Sequence, residues 1–151
     1  VDMILGAATE SRLFGVVDGR RRASTLTITT DDGSLGTRGR VTDVLGGILD
    51  QHGGQVIYGC GPMGMLAGLA EVASQRGIVS QCAVEEAMAC GVGVCMTCVL
   101  PVVGSDGVTR MTRSCTDGPV FFGDQVRWEE VGTVAAGCLG APVVEGGAGT
   151  R

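Results

Sequence analysis

Glu85-Glu86-Ala87-Met88-Ala89-Cys90-Gly91-Val92-Gly93-Val94-Cys95-Met96-Thr97-Cys98 is the stretch from which the rest of the chain is read. Three cysteines fall within nine residues, and a fourth, Cys115, follows Arg110-Met111-Thr112-Arg113-Ser114. The spacing is C-x4-C-x2-C-x16-C. The first three are too close in sequence to pair comfortably with one another as disulfides. Gly91 and Gly93 lie inside the loop. Glycine permits positive φ and close backbone approach, so the loop can fold tightly and aim its amide N–H groups at the sulfurs.

The first three positions match the plant-type ferredoxin pattern for a [2Fe–2S] cluster. Each iron of such a cluster needs two thiolates, so Cys90, Cys95, Cys98 and Cys115 are the expected metal ligands. The sequence also predicts how the fourth returns. Residues 97–103 read as a strand, Gly104-Ser105-Asp106-Gly107 as a turn, and residues 108–115 as the returning strand. Setting Val103 opposite Val108 puts Cys115 opposite Met96, within diagonal reach of Cys98. Pro101 has no N–H for a ladder, so its strand is expected at an edge or with that side to solvent.

Zinc also takes four cysteines, but zinc ribbons usually offer two C-x-x-C knuckles and this chain has one. A disulfide framework fits poorly with seven cysteines and no visible secretory signal. Cys82 and Cys138, and in part Cys60, read as small buried hydrophobes. Residues 87–105 carry no charge, long enough for a membrane helix. Their cysteines, glycines and proline, without a sustained Leu/Ile/Phe run, exclude that reading.

At 151 residues, 44% hydrophobic and 18% charged, the chain has room for one ordinary domain or two small ones with a core. Aromatics at 3% and a net charge of −5 argue against a nucleic-acid partner. All eleven positive charges are arginine, and Arg20-Arg21-Arg22 reads as a solvated turn. Cysteine usage points to a reducing compartment, the cytoplasm. The chain opens on Val1, almost at once in a strand, so it is expected to be a fragment that starts inside a domain.

Upstream of the cysteines the pattern alternates. Residues 1–6 form a strand, and residues 11–18 a helix with Ser11 as its N-cap. Residues 23–30 form a half-buried strand of period two. Residues 40–49 place Val41, Val44, Leu45, Ile48 and Leu49 at helical spacing. Residues 55–59 form a strand, Pro62 suits the first helical position, and residues 63–76 are a helix that Gly77 ends. Residues 78–84 form a strand. A β-α-β-α-β-α-β order implies an α/β fold with a doubly wound parallel sheet, which binds ligands at the carboxyl ends of its strands. Gly59-Cys60-Gly61-Pro62 lies at such an end. Residues 146–151 read as disordered, and His52 is given no role.

Cys60-Gly61-Pro62-Met63-Gly64-Met65 resembles the C-G-P-x-x-M signature of the ferredoxin–NADP reductase superfamily. Three segments add to it: residues 30–36 (Thr-Asp-Asp-Gly-Ser-Leu-Gly), the Glu85–Gly91 run, and residues 115–121 (Cys-Thr-Asp-Gly-Pro-Val-Phe). Together they resemble the electron-transfer subunit of class 1B dihydroorotate dehydrogenase over roughly residues 1–130. The resemblance implies a partial NAD-binding domain over 1–84, lacking its first strand and an upstream FAD barrel. A small ferredoxin-like β-hairpin domain with a [2Fe–2S] cluster would cover 85–131, and a Gly-rich tail 132–151.

The resemblance further implies a partner catalytic subunit that holds FMN and oxidises dihydroorotate in pyrimidine synthesis, in a heterotetramer. Electrons would pass from FMN through the cluster and FAD to NAD⁺, with FAD residues mostly outside this chain and no complete activity from the chain alone. Gly59, Cys60, Gly61 and Pro62 match the motif beside the nicotinamide. Arg12 near a strand end does not decide between NAD and NADP. Two other functions stay open: a reductase component of another oxidoreductase, and a zinc-stabilised interaction module without redox chemistry.

Overall fold

The computed structural model describes residues 1–135 and 137–139. The expected disorder of residues 146–151 lies outside the described residues.

Strand β1 (Asp2–Ala7) crosses through helix α1 (Val16–Arg22) to β2 (Thr25–Thr30), which pairs parallel with it from Asp2↔Thr25 to Ala7↔Thr30. The helix does not begin at Ser11. Residues Glu10–Arg12 form one 3₁₀ turn, and α1 starts after Gly15, whose φ of 75° suits only a glycine without strain. Arg20, Arg21 and Arg22 therefore form the last turn of α1, where cations oppose the helix dipole favourably; they are not a turn between elements. A short strand, β3 (Thr37–Arg38), adds parallel to β2. It covers the end of β2, so Ile28, Thr29 and Thr30 are all buried and the expected alternation fails there.

Helix α2 (Val41–His52) leads to β4 (Val56–Cys60), and α3 (Met63–Gln75) to β5 (Val79–Ala83), which pairs parallel with β4. Pro62 is the N-cap of α3 rather than its first helical residue, with ψ of 143°. Gly77, at φ 65°, ends α3 in a Schellman arrangement: Ile78 N donates to Ala73 O and Gly77 N to Ser74 O. The fold is mixed α/β with parallel pairing, but the strands expected in one doubly wound sheet fall into two, β1-β2-β3 and β4-β5-β8. Among the described residues, β1 and β4 are each paired on one side only. Helix α2 packs against both β1 and α3 and so spans the two sheets.

Beyond residue 84 the chain forms the antiparallel hairpin of β6 (Val99–Val103) and β7 (Thr109–Arg113), the helical turn α4 (Ser114–Asp117), and β8 (Val120–Phe122). β8 returns to β5 as an antiparallel edge. One core results: Leu66 and Ile57 share a cluster with Leu100, Val102, Phe121 and Val126. Burial of a side chain such as Leu66, fully inaccessible to solvent, stabilises by roughly 1.5–3 kcal/mol. α3 covers one face of the β4-β5-β8 sheet. The other face stays bare, with Val56, Tyr58, Val79, Val120 and Phe122 exposed.

Candidate iron–sulfur site

The hairpin register differs by one residue from the expected one. Val103 pairs with Thr109 and Val99 with Arg113. The returning strand stops at Arg113, and Cys115 stands in α4, not on a strand opposite Met96. Ser114 holds the observed register past the last strand pair. Its amide and its hydroxyl both donate to Cys98 O, at 2.9 and 2.8 Å, and this buried double contact turns the chain into the helical step. β6 is one of two strands in its sheet and so an edge, as expected, but Pro101 is buried rather than open to solvent. Pairing with β7 occupies one side of β6, and on the other Val103 N donates to Gln125 O and Arg127 N to Pro101 O. The missing N–H thus faces the short 125–127 bridge, where a 3₁₀ turn (Trp128–Glu130) soon leads the chain away.

Residues 90–98 form a loop. Gly91 and Gly93 have φ of 67° and 80°, and Met96 joins them at φ 59°, which the sequence did not signal. A non-glycine residue there is uncommon. The turn directs three amides at one sulfur: Val92, Val94 and Cys95 N–H point at Cys90 Sγ from 3.5, 3.3 and 3.5 Å. These bonds, that of Cys95 foremost, bring the Cys90 thiol down to about 6. The Thr97 hydroxyl donates to Cys95 Sγ at 3.0 Å and is the main reason that thiol is lowered.

The sulfurs form two pairs. Cys90 and Cys95 are near enough to affect one another's titration, and Cys98 is near enough to raise that of Cys115. Cys115 is raised, first by its contact with Cys98 and then by burial; Cys90 is near enough to add to the effect, and the Gly93 amide opposes it. Among the described residues, no three His, Cys, Asp or Glu side chains gather around a point that a single ion could occupy.

Arg113 closes the site from the hairpin side. Its Nη1 donates to Gly93 O at 2.9 Å, and Asp117 Oδ2 lies 3.7 Å from its Nε. Neither Arg113 nor Ser114 carries a sequence signal beyond nearness to Cys115. Cys82 and Cys138 are buried, as expected, and burial pushes the Cys82 thiol up to about 11.

Gly59, Cys60, Gly61 and Pro62 sit where β4 ends and α3 begins. Cys60 is exposed, so it is not the small core residue that part of the reading allowed. Gly59 lets α3 pack close: a Cβ there would lie 2.7 Å from Leu69 Cδ1 and 3.1 Å from Leu66 Cδ2, so those side chains would have to shift. Arg12 is exposed on the 3₁₀ turn after β1. His52 is engaged after all, its Nδ1 2.9 Å from Asp2 Oδ1.

Residues 85–127 match the family model described as the iron-sulfur cluster binding domain of dihydroorotate dehydrogenase B. The chain resembles the electron-transfer subunit of that enzyme. A Methanopyrus kandleri protein named as a probable dihydroorotate dehydrogenase B (NAD(+)), electron transfer subunit, is 34% identical over 142 residues, covering 94% of this chain and 51% of that protein. A Geobacillus thermodenitrificans protein named as the same subunit is 42% identical over 125 residues, covering 82% and 45%. A solved structure of an NADH-dependent reduced ferredoxin-NADP oxidoreductase, described in connection with flavin-based electron bifurcation, superposes with a TM-score of 0.71 at 28% identity. That match covers 86% of this chain and 45% of the other. The chain thus spans about half the length, or less, of the curated relatives it matches. No helix among the described residues is long and apolar enough to cross a membrane.

Proposed function

We propose that this chain is the iron–sulfur part of an electron-transfer subunit of an NAD-dependent dihydroorotate dehydrogenase, acting in pyrimidine synthesis. The observation that carries the reading is the 90–98 loop, folded so that the Val92, Val94 and Cys95 amides point at Cys90 Sγ and the Thr97 hydroxyl at Cys95 Sγ, with Cys98 and Cys115 as a second neighbouring pair. Two pairs suit two irons, whereas a structural zinc needs all four thiolates at one point. Cys90 and Cys95 would hold one iron and Cys98 and Cys115 the other. A [2Fe–2S] cluster supplies one-electron transfer. The protein's share is to orient the thiolates, to donate the amides of Val92, Val94 and Cys95 and the Thr97 hydroxyl to sulfur, and to bring one edge of the site to the surface.

We read that edge as the docking face. Val92, Val94 and Met96 are 69%, 79% and 50% exposed, so they do not pack beneath the hairpin. An apolar rim next to the ligands suits a partner that delivers electrons over a short distance, here an FMN-containing catalytic subunit, in a heterotetramer. The ends of β4 and α3, with Gly59, Cys60, Gly61 and Pro62, are assigned to the nicotinamide of NAD, and FAD to residues mostly outside this chain. The bare face of the β4-β5-β8 sheet and the half-paired edges of β1 and β4 support reading 1–84 as part of a larger nicotinamide-binding domain. Residues 85–131 are then a small ferredoxin-like cluster domain that lends β8 to the β4-β5 sheet, and 132–151 a Gly-rich tail. The assembly is assigned to the cytoplasm.

NADH gives up two electrons as hydride, and a one-electron centre cannot accept it without a flavin between them. The test adds dithionite and NADH separately to the iron-loaded 151-residue chain. Dithionite should bleach its visible absorbance and NADH should not. Rapid bleaching by NADH without added flavin would refute the assignment of FAD outside this chain.

A further inference from the structure

Arg113 ends β7 two positions before Cys115, and its reach into the cysteine loop is long in sequence but direct in space. Nη1 donates to Gly93 O at 2.9 Å across twenty residues, in a part-buried contact. The peptide that carries this carbonyl continues to Val94 N, and Val94 N–H points at Cys90 Sγ from 3.3 Å. That peptide is trans and planar, so its C=O and N–H point in opposite directions. One peptide unit therefore links the guanidinium to a ligand sulfur. Holding the carbonyl fixes the direction of the N–H, and bonding at one end of an amide strengthens the bond at its other end.

The guanidinium is itself restrained. Asp117 Oδ2 accepts the Arg113 amide at 3.2 Å and lies 3.7 Å from Nε. A permanent positive charge and a carboxylate thus stand together beside the cysteine loop, with Arg113 reaching Gly93: its Nη1 would be 3.6 Å from a Cβ placed there. One-electron reduction of an iron–sulfur centre makes or breaks no bond and adds one negative charge. Amide donors to sulfur and nearby positive charge favour the reduced form.

We propose that Arg113 is a positioning residue that raises the reduction potential of the centre by orienting the Gly93–Val94 peptide toward Cys90, with Asp117 as the opposing charge. The proposal rests on the reading of the four cysteines as [2Fe–2S] ligands. A residue that merely anchored the loop would change how firmly iron is held but leave the potential in place.

The test is a redox titration of iron-loaded protein, followed by visible absorbance and by the electron paramagnetic resonance of the reduced form. Wild type is compared with Arg113→Met, Arg113→Lys and Asp117→Asn. Arg113→Met should shift the midpoint to more negative values. Arg113→Lys, which keeps the charge but loses the planar fork, should shift it less in the same direction. Asp117→Asn should shift it to more positive values. Unmoved midpoints, or shifts of one sign for both Arg113→Met and Asp117→Asn, overturn the proposal. If Arg113→Met fails to hold iron, the opposite shifts of Arg113→Lys and Asp117→Asn decide alone, and wild-type midpoints in both overturn it. Wild-type protein without bound iron would instead defeat the reading of the cysteines.

Discussion

Ser114 donates to the carbonyl of Cys98 twice, from its amide at 2.9 Å and from its hydroxyl at 2.8 Å, with no solvent access. This contact ties the strand that follows the third cysteine to the helical turn that carries the fourth. Ser114→Ala removes one of the two bonds and leaves the carbonyl with its backbone partner. The expected loss is roughly 1 kcal/mol of stability, read as a lower thermal midpoint with the iron content retained at moderate temperature. Melting at the wild-type temperature would show that the hydroxyl holds nothing.

The four site cysteines should behave as one group and the buried pair as another. Serine at Cys90, Cys95, Cys98 or Cys115 should remove most of the iron, because the ligands are needed as thiolates. Serine at Cys82 or Cys138 should leave it bound. Iron analysis of the six purified variants checks this, and a full iron complement in Cys115→Ser would contradict the assignment.

Thiol reactivity separates two cysteines outside the site. Cys60 is exposed, while Cys82 is fully buried with its thiol pushed up to about 11. Alkylation of the folded protein at neutral pH should label Cys60 quickly and Cys82 only after denaturation, since the thiolate is the reacting form. Mass spectrometry of the labelled peptides gives the answer. Equal labelling of both in the native state would show that the β4-β5-β8 sheet opens readily.

The rim of the loop offers a test of docking. Val92→Glu and Met96→Glu each place a charge on an exposed apolar surface. If a partner covers that surface, at least one variant should keep its visible spectrum and bind the FMN-containing subunit about tenfold or more weakly, because a charge is desolvated at the contact. Wild-type affinity in both, measured by calorimetry, would put the docking face elsewhere.

At the far end of the fold, Asp2 accepts hydrogen bonds from Thr25 and from His52, and these hold its carboxyl below the usual carboxylate range. A carboxyl lowered in the folded state contributes stability above its unfolded pKa and loses it as pH falls through the folded one. Asp2→Asn should therefore be less stable than wild type at neutral pH, and the difference should close in acid. Denaturant midpoints measured across this range check the sign; a gap that widens in acid would reverse it.

Much of this was legible in the cysteine spacing. Gly91 and Gly93 marked the tight turns, and the alternation upstream placed β1, β2, β4, β5, α2 and α3 to within about three residues, though not α1, which runs Val16–Arg22 and not from Ser11. What escaped depends on contacts distant in sequence. Nothing near Val120 announces that β8 will complete the β4-β5 sheet, because that edge is offered by residues forty positions earlier. The hairpin register lies one residue from the expected one, and two hydrogen bonds from Ser114 to Cys98 O, one of them from a buried side chain, continue it past the strand. Pro101 is buried on an edge strand because residues 125–127, forming no strand of their own, cover the side on which its N–H is missing. Arg113 was silent for the same reason: its partner, the Gly93 carbonyl, is a backbone atom with no signature.

Metal analysis of the protein purified without oxygen tests the central claim most directly, taken together with acid-labile sulfide and the visible spectrum. The account predicts two irons and two sulfides per chain, a brown-red colour, and bleaching by dithionite with a paramagnetic signal from one added electron. A colourless protein with one zinc per chain would contradict it.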